Sequence, residues 1–573
     1  MANDIYDFVI IGSGIAGALA AYKLSERKDG KRILIIEAGE NLVSDDETEN
    51  KKIRAEFVDT FALAEHRTPL SPYHKLESNE FVPSPDGTNK DDLNKYYQIK
   101  QADGDSQFFK ATYQRINGGS TWSWRGNCPR FVPNDFLLKS KYLTNTPISS
   151  NAEDWAITYS DLEKQYCEAE KEMGIAGNHD EWNRHYHGAF RSETFPMENI
   201  VQSYSDEQVK GRIGNYLVIN GVKIKILSTP QARNSVEYQG RSACKGNGNC
   251  IPICPSGAKY DATVHLKLAK QNSVEFLPNC VVTDLEVDGS GRISQVNYVN
   301  WKSDNPQKRL CVKAKNVILA THAIESAKIL LYSGLANSSG QVGLNLMDHL
   351  NNEATGLMLE PIYTFRGPQG TSSIPAFCDG DFRKEYAAFN ITFGNDGWGR
   401  SESPQVTLAK LVDNKIFGKD LQNQFKNRIW RQLRFSYSAE MLPQTYNKVT
   451  LGDKLDPLGI PRPQIAFKLD DYSVKAFVYA QTVLKQILQE LKATEIKPDF
   501  PKFPNLDFNT AGHPMGTCRM GSNPANSVVD SFGKSHDHPN LFIVGSSIFT
   551  TGATANPTLT LAALTLRTVD SIK

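Results

Sequence analysis

Apolar and polar positions are most sharply ordered at the start of the chain. Asp7–Ile11 becomes continuously apolar after its first residue, the pattern of a strand buried on both faces, and runs straight into Gly12-Ser13-Gly14-Ile15-Ala16-Gly17. The mostly apolar Leu19–Leu24 follows, so the glycines open a helix. In such a turn Gly12 permits the tight bend, Gly14 lets backbone approach a pyrophosphate, and Gly17 lets helix pack on strand, with Ile15 and Ala16 between them in the first helical turn. The free N–H groups of that helix start suit phosphate. A second apolar run, Arg32–Ile36, ends in Glu37, twenty residues beyond Gly17, where a carboxylate accepts from ribose hydroxyls. Glu37-Ala38-Gly39 completes a βαβ unit. Strand, glycine turn, helix, second strand and terminal acid together predict a dinucleotide site.

Periodicity is then lost between about Asp45 and Asp105, where Pro69, Pro72, Pro83 and Pro85 interrupt a polar stretch. This predicts a long covering loop that frames a pocket. At Asn117-Gly118-Gly119-Ser120 the backbone can again approach a ligand closely, with the aromatic faces of Trp122 and Trp124 nearby. A plain turn with core tryptophans is the alternative. The segment from Asp154 to Glu170 reads as a helix with a Ser or Thr N-cap, its face set by Leu162, Tyr166 and Ala169, and serves as scaffold. Strands are predicted at Val274–Leu277, Cys280–Val287 and Ile293–Tyr298, and a buried one at Asn316–Ala320 leads into a helix from Ala323 to Tyr332. Residues 351–504 carry short alternating runs, such as Val406–Leu408 and Lys448–Leu451, and one long helix from Ser473 to Lys492, which suggests an antiparallel sheet with helical cover. A last buried strand at Asn540–Gly545 precedes a helix with Pro557 at its first position. Nucleotide-binding elements at both ends of the chain make the cofactor domain discontinuous.

A length of 573 residues allows at least two domains and a large core. Lys plus Arg and Asp plus Glu both number 64, so bulk charge favours neither nucleic acid nor an acidic membrane surface as partner. The sequence contains no apolar stretch of membrane-spanning length, and its start carries no pattern of an export signal, so neither a direct membrane span nor a signal of its own is expected. That leaves a cytoplasmic protein, or one exported folded to the periplasm with a signal-bearing partner subunit.

The nine cysteines, an odd number in a long chain, do not read as a disulfide scaffold. Cys244, Cys250 and Cys254 fall within eleven residues among glycines, with Pro255 following. Structural zinc takes four ligands and no fourth is near, whereas three cysteines followed by Pro resemble an iron–sulfur loop of unusual spacing. Buried structural cysteines are the alternative. His185 and His187 give only two ligands, an incomplete metal site, and read as a solvated loop.

Taken in order, the Gly12–Gly17 turn with Glu37-Ala38-Gly39, Asn117–Ser120, Val317–Ala320 with Ala323–Ser326, Val342–His349, His513–Gly521 and Asn556-Pro557-Thr558 resemble the glucose–methanol–choline oxidoreductase family. Trp122, Trp124 and the ending Gly552–Leu564 make the chain most similar to the catalytic subunits of bacterial FAD-dependent sugar dehydrogenases, the glucose, gluconate and fructose group. The resemblance implies an α/β fold in which a discontinuous Rossmann-like FAD-binding domain (1–50, 106–135, 205–350 and 505–573, with an iron–sulfur loop at 240–260) joins a substrate domain of antiparallel sheet and helical cover (51–105, 136–204 and 351–504).

It further implies oxidation of a sugar or polyol hydroxyl by hydride transfer to FAD. Val282 would border the adenine and Gly545-Ser546 lie by the isoalloxazine, and Pro557 and Thr558 would also bind the cofactor. The chain has Gly545-Ser546 where the wider family usually has Asp-Ala. His513 suits the catalytic base, since a free imidazole titrates near neutrality, and Asn556 suits holding the substrate oxygen. His349 is expected to be structural. The three cysteines would hold a three-iron cluster passing electrons to a cytochrome, with a small chaperone-like subunit as further partner. An oxidase returning electrons to oxygen and a nonenzymatic electron carrier are the rival readings. Peroxide release separates the first, and substrate-dependent bleaching of the flavin excludes the second.

Overall fold

The computed structural model describes residues 5–41, 99–100, 109, 113–122, 124–247, 250, 254–305, 307–396, 404–456, 458–497 and 509–573. The covering loop expected between Asp45 and Asp105 lies outside the described residues except at 99–100.

The apolar runs form a parallel sheet. Strand β1 (Ile5–Ile11) lies between β2 (Ile33–Ile36) and β3 (Arg309–Leu319), with Glu275–Leu277 beyond β2. The long strand β3 belongs to two neighbourhoods. Its first half pairs antiparallel with Ile293–Asn300, which in turn pairs with Cys280–Val287, while Val317–Leu319 pairs parallel with Leu541–Ile543 near the chain's end. The discontinuity expected from sequence is therefore realised within one strand. Val9, Ile10, Ile35, Val317 and Ile318 are fully buried, as strands covered on both faces require.

Helix α1 (Ile15–Ser25) crosses from β1 to β2, and α2 (Ala323–Ser333) follows β3 and ends at Gly334 in a left-handed cap. The Asp154–Glu170 prediction resolves as Tyr159–Met173, capped by Thr158, whose side chain accepts from Asp161 N. This helix packs against α4 (Thr558–Ser571), where the Tyr166 and Thr560 hydroxyls meet at 2.8 Å.

The second sheet is antiparallel. Its order is Thr494–Lys497, β4 (Leu350–Leu357), β6 (Gln432–Ala439), β5 (Phe389–Gly394), Ser372–Ile374 and Leu227–Ser228, and Asn509–Thr510 also pairs with β4. The edge pieces 227–228 and 509–510 come from segments that the sequence assigns to the nucleotide domain, so the chain crosses between the two sheets more often than those boundaries imply. On β6 the apolar Leu433, Phe435, Tyr437 and Ala439 alternate with Gln432, Arg434, Ser436 and Ser438. The apolar set packs towards α3 (Asp471–Glu490), where the Tyr437 ring meets that of Phe477 and its hydroxyl donates to Phe477 O. Val406–Leu408, expected as part of a strand, lies instead inside a helix, Pro404–Asp413. Three alternating residues cannot distinguish period 2 from period 3.6.

Candidate active site

Between the two sheets lies a cavity of about 790 Å³. At one end it is walled by Ile36, Glu37, Ala38, Val281 and Val282. Cys280 N donates to Glu37 O (2.8 Å), which joins the start of its strand to the end of β2 and brings Val282 to this wall. The Glu37 carboxylate is gripped from the turn it faces. Oε2 accepts from Ser13 N (2.8 Å) and Ser13 Oγ (2.7 Å), and Oε1 accepts from Gly39 N (2.8 Å). Burial pushes its pKa up, against the pull of those donors.

Gly12, Gly14, Ile15 and Ala16 line the next section, with Gly119 and Ser120 opposite. Gly17 explains the close seating of α1: a Cβ there would stand 1.9 Å from Gly12 O. At Gly14 a Cβ would have no protein atom within 4 Å, so that backbone faces open space. The start of α1 has no side-chain cap and no acidic residue in its first turn, which leaves its N–H groups and positive dipole end to the cavity. This glycine-lined, uncapped turn fits a pyrophosphate, and a cavity of about 790 Å³ that also reaches Glu37 and His513 has room for FAD. Gly118 does not line the cavity. It turns the chain with φ of +86° against Thr263 and Trp122.

Gly545 lies beside the Gly12–Gly17 turn, where a Cβ on it would stand 4.0 Å from Ala16 Cβ, and beyond it the cavity gathers residues from both sheets: His349, His513, Pro514, Ser546, Asn556, Pro557 and Thr558. His513 lies on a loop tied to Ser546, whose Oγ donates to Pro514 O (2.7 Å) and whose carbonyl accepts from Gly516 N (3.1 Å). Asn556 Nδ2 lies 3.3 Å from His513 Nε2.

His349 is in contact with His513, and the hydrogen bonds around it fix both tautomers. Gly552 O can only accept, so His349 Nε2 (3.0 Å) carries the proton and His349 Nδ1 is left as an acceptor. His513 Nδ1, 3.0 Å from His349 Nδ1, must then donate, which leaves His513 Nε2 with its lone pair towards Asn556 and the cavity. Burial lowers the His349 pKa to about 4. Burial and then His349 hold His513 well below its ordinary value. Asp348 Oδ1 accepts from the backbone N–H of His349 (2.6 Å) and of His513 (3.0 Å), joining two loops distant in sequence. Burial raises the Asp348 pKa to about 7.

The residues that sequence reasoning missed lie on the second sheet. Register places Ser438 between Asn351 and Asn390, and Ser436 between Glu353 and Thr392. All six line the cavity, with Arg434, Asp396, Trp124 and Arg125. Asp396 Oδ1 accepts from Arg434 Nε (3.0 Å) and Nη2 (2.5 Å), and Glu353 Oε2 accepts from Nη1 (3.2 Å). Arg125 faces the same space and makes no hydrogen bond or ion pair with another described residue. The polar half of the β6 alternation was the available signal.

The cysteine loop abuts this wall. Lys259 Nζ donates to Cys250 O (2.7 Å), Trp122 O (2.7 Å) and Trp124 O (2.6 Å). Arg233 Nη1 donates to Cys250 Sγ at 2.9 Å. Cys250 and Cys254 are buried and Cys244 partly so. Burial pushes the Cys244 thiol up, Arg233 opposes this, and the charges of Cys250 and Cys254 add to it, so the three thiols lie within electrostatic reach. Among the described residues no three His, Cys, Asp or Glu side chains converge as the ligands of one metal ion. Cys244, Cys250 and Cys254 thus lie near one another beside Arg233 without forming a single-ion site. His185 lies 2.8 Å from Lys225 Nζ and His187 2.8 Å from Pro375 O, and neither contact is a metal site.

Sequence comparison matches residues 231–351 and 443–565 to GMC oxidoreductase and residues 10–56 to an NAD(P)-binding Rossmann-like domain. The chain is 33% identical over 587 residues to the fructose dehydrogenase large subunit of Gluconobacter japonicus, covering 100% of this chain and 99% of that one. It is 25% identical to 6'''-hydroxyparomomycin C oxidase of Streptomyces lividus, covering 100% and 92%. With the gluconate 2-dehydrogenase flavoprotein of Pantoea cypripedii it shares 22% identity, over 80% and 78%. Among solved structures, formate oxidase superposes with a TM-score of 0.62 at 16% identity, covering 99% of this chain and 98% of that one, which is a likeness of fold. With a full-length relative at this identity, and a cavity shaped for a dinucleotide that ends on a histidine and an asparagine, the chain belongs to the GMC oxidoreductase family, FAD-dependent enzymes that act on CH–OH groups.

Proposed function

We propose that the protein is a dehydrogenase that oxidises a hydroxyl of a sugar or related polyol or glycoside, with electrons leaving through an iron–sulfur cluster to an external acceptor such as a cytochrome. The observation that carries this reading is the His513–Asn556 pair facing a floor of amide and hydroxyl side chains. A polyol presents several donors and acceptors at once, and Asn351, Asn390, Thr392, Ser436 and Ser438 offer both.

Bound FAD supplies the hydride acceptor. The Gly12–Gly17 turn, with Gly545 beside it, seats its pyrophosphate, Glu37 its ribose hydroxyls and Val282 its adenine, while Ser546, Pro557 and Thr558 face the ring end. His513 Nε2 takes the hydroxyl proton, and Asn556 holds the oxygen without competing for that proton. As His513 becomes cationic, its Nδ1–H stays on the His349 lone pair, so the charge forms against an acceptor already in place.

Cys244, Cys250 and Cys254 would hold the cluster, beside Trp124 and the cavity wall. The name of the Gluconobacter relative, a large subunit, supports an assembly with at least one smaller subunit, and a one-electron cluster would call for an electron-accepting partner besides. Such a partner is also the route by which a chain of this kind would reach the periplasm. Among the described residues no helix is long and apolar enough to cross a membrane.

Purified holoprotein, made with its cluster-assembly machinery present, is expected to turn over a polyol with a one-electron artificial acceptor in air without releasing peroxide. Stoichiometric peroxide would favour the oxidase reading, to which the Streptomyces relative's name lends support. In Cys250→Ser, iron and the cluster's paramagnetic signal should be lost while substrate still bleaches the flavin. An iron-free parent that reduces a cytochrome partner would refute the relay.

A further inference from the structure

Resting on the polyol reading, we infer that the substrate is an anionic polyol, a sugar acid whose carboxylate is bound by Arg125 while His513 acts on one of its hydroxyls. Arg125 follows directly on Trp124, faces the cavity from the nucleotide-domain side, and meets no hydrogen-bonding partner among the described residues. Its five donors form a planar fork that two carboxylate oxygens fill.

The two other arginines that line the cavity are differently placed, and Arg115 Nη2 is paired with Glu325 Oε1 at 2.9 Å. Arg434 spends Nε and Nη2 on Asp396 and Nη1 on Glu353, so its fork is filled by the protein's own acids. Those acids lie close enough to influence Arg125 electrostatically, yet neither bonds to it. Charge balance alone would leave the guanidinium donors unmet in an enclosed space, and unmet donors there are costly. A guanidinium without a partner among the described residues matches a singly charged carboxylate better than a doubly charged phosphate. The polar floor of Asn390, Thr392 and Ser436 remains for the hydroxyls.

The experiment compares matched pairs in the holoprotein, gluconate with sorbitol and glucuronate with glucose, by anaerobic flavin reduction and by turnover with an artificial acceptor. The acid is expected to exceed its neutral partner in kcat/KM by roughly 10- to 100-fold, the scale of a charge-assisted bidentate contact. Arg125→Leu should abolish the preference, mainly through KM, and Arg125→Lys should restore part of it. Neutral partners that react as well as the acids would overturn the inference. So would an Arg125→Leu variant that slows acids and neutral polyols equally, since that would assign the guanidinium to the flavin. If the variant binds no flavin, the parent's preference decides. If no member of any pair reduces the flavin, the polyol reading falls and this inference with it.

Discussion

Replacing His513 by Ala is expected to leave FAD bound and to slow anaerobic flavin reduction by roughly 10²- to 10⁴-fold, the range over which a positioned general base acts. The size follows from the geometry. Nε2 is the basic atom that His349 and Gly552 leave without a proton, and Asn556, the polar group beside it, is a poor base. The pH dependence gives the prediction its sign. A base works only when unprotonated, and burial together with His349 holds the His513 pKa well below 6.5. Titration of His513 should therefore leave the parent's reductive rate level as pH falls from 8 through 6.5 and lower it only as the lowered value is approached, so a change centred near pH 7 belongs to Asp348, which joins the His349 and His513 loops. A variant that reduces as fast as the parent would contradict the assignment, whereas a parent rate that halves near pH 6.5 would contradict only the lowered pKa of His513.

Gly14→Ala and Gly17→Ala should part company. At Gly14 the added methyl group meets no protein atom within 4 Å, and the residue's φ of −63° is open to alanine. This variant is expected to fold with a stability loss of about 1 kcal/mol or less, the cost of a poorer N-cap, and yet to lose FAD affinity by at least roughly 10-fold, because the methyl enters the pyrophosphate's seat. Gly17→Ala would place its Cβ 1.9 Å from Gly12 O, where backbone on both sides must move. Loss of both thermal stability and flavin is expected, with the stability cost about 1–3 kcal/mol or more. Thermal melts with released-flavin absorbance distinguish the two. A Gly14→Ala protein that binds FAD like the parent would show that the open space beyond Gly14 is not where the phosphates lie.

The nucleotide-binding half was legible because its signals are local. Val9–Ile11, the glycine turn and Glu37 lie within forty residues, and continuous apolar runs have few alternative fates in a large domain. The long helix α3 was readable for the same reason, since five turns of periodicity outweigh any one residue. What sequence could not show was long-range. His349 reads as structural beside Asp348, and only the fold brings it to His513, 164 residues away. The polar floor was hidden by a correct rule. An alternating strand in an antiparallel sheet usually turns its polar face to water, but on β6 that face is Arg434, 3% exposed, and Ser436, 8% exposed, over an internal cavity. Arg125 carries no signal of its own in the sequence. What sets it apart is that it bonds to no other described residue.

The most direct test is an anaerobic titration of the purified, flavin-loaded protein with a panel of sugars, polyols and sugar acids, followed by its visible spectrum. Bleaching of the oxidised flavin by at least one member, with the matching carbonyl product recovered in equal amount and the rate lost in His513→Ala, is the predicted result. Protein that carries FAD and is bleached by no alcohol in the panel, or that releases a nicotinamide in place of flavin, would contradict it.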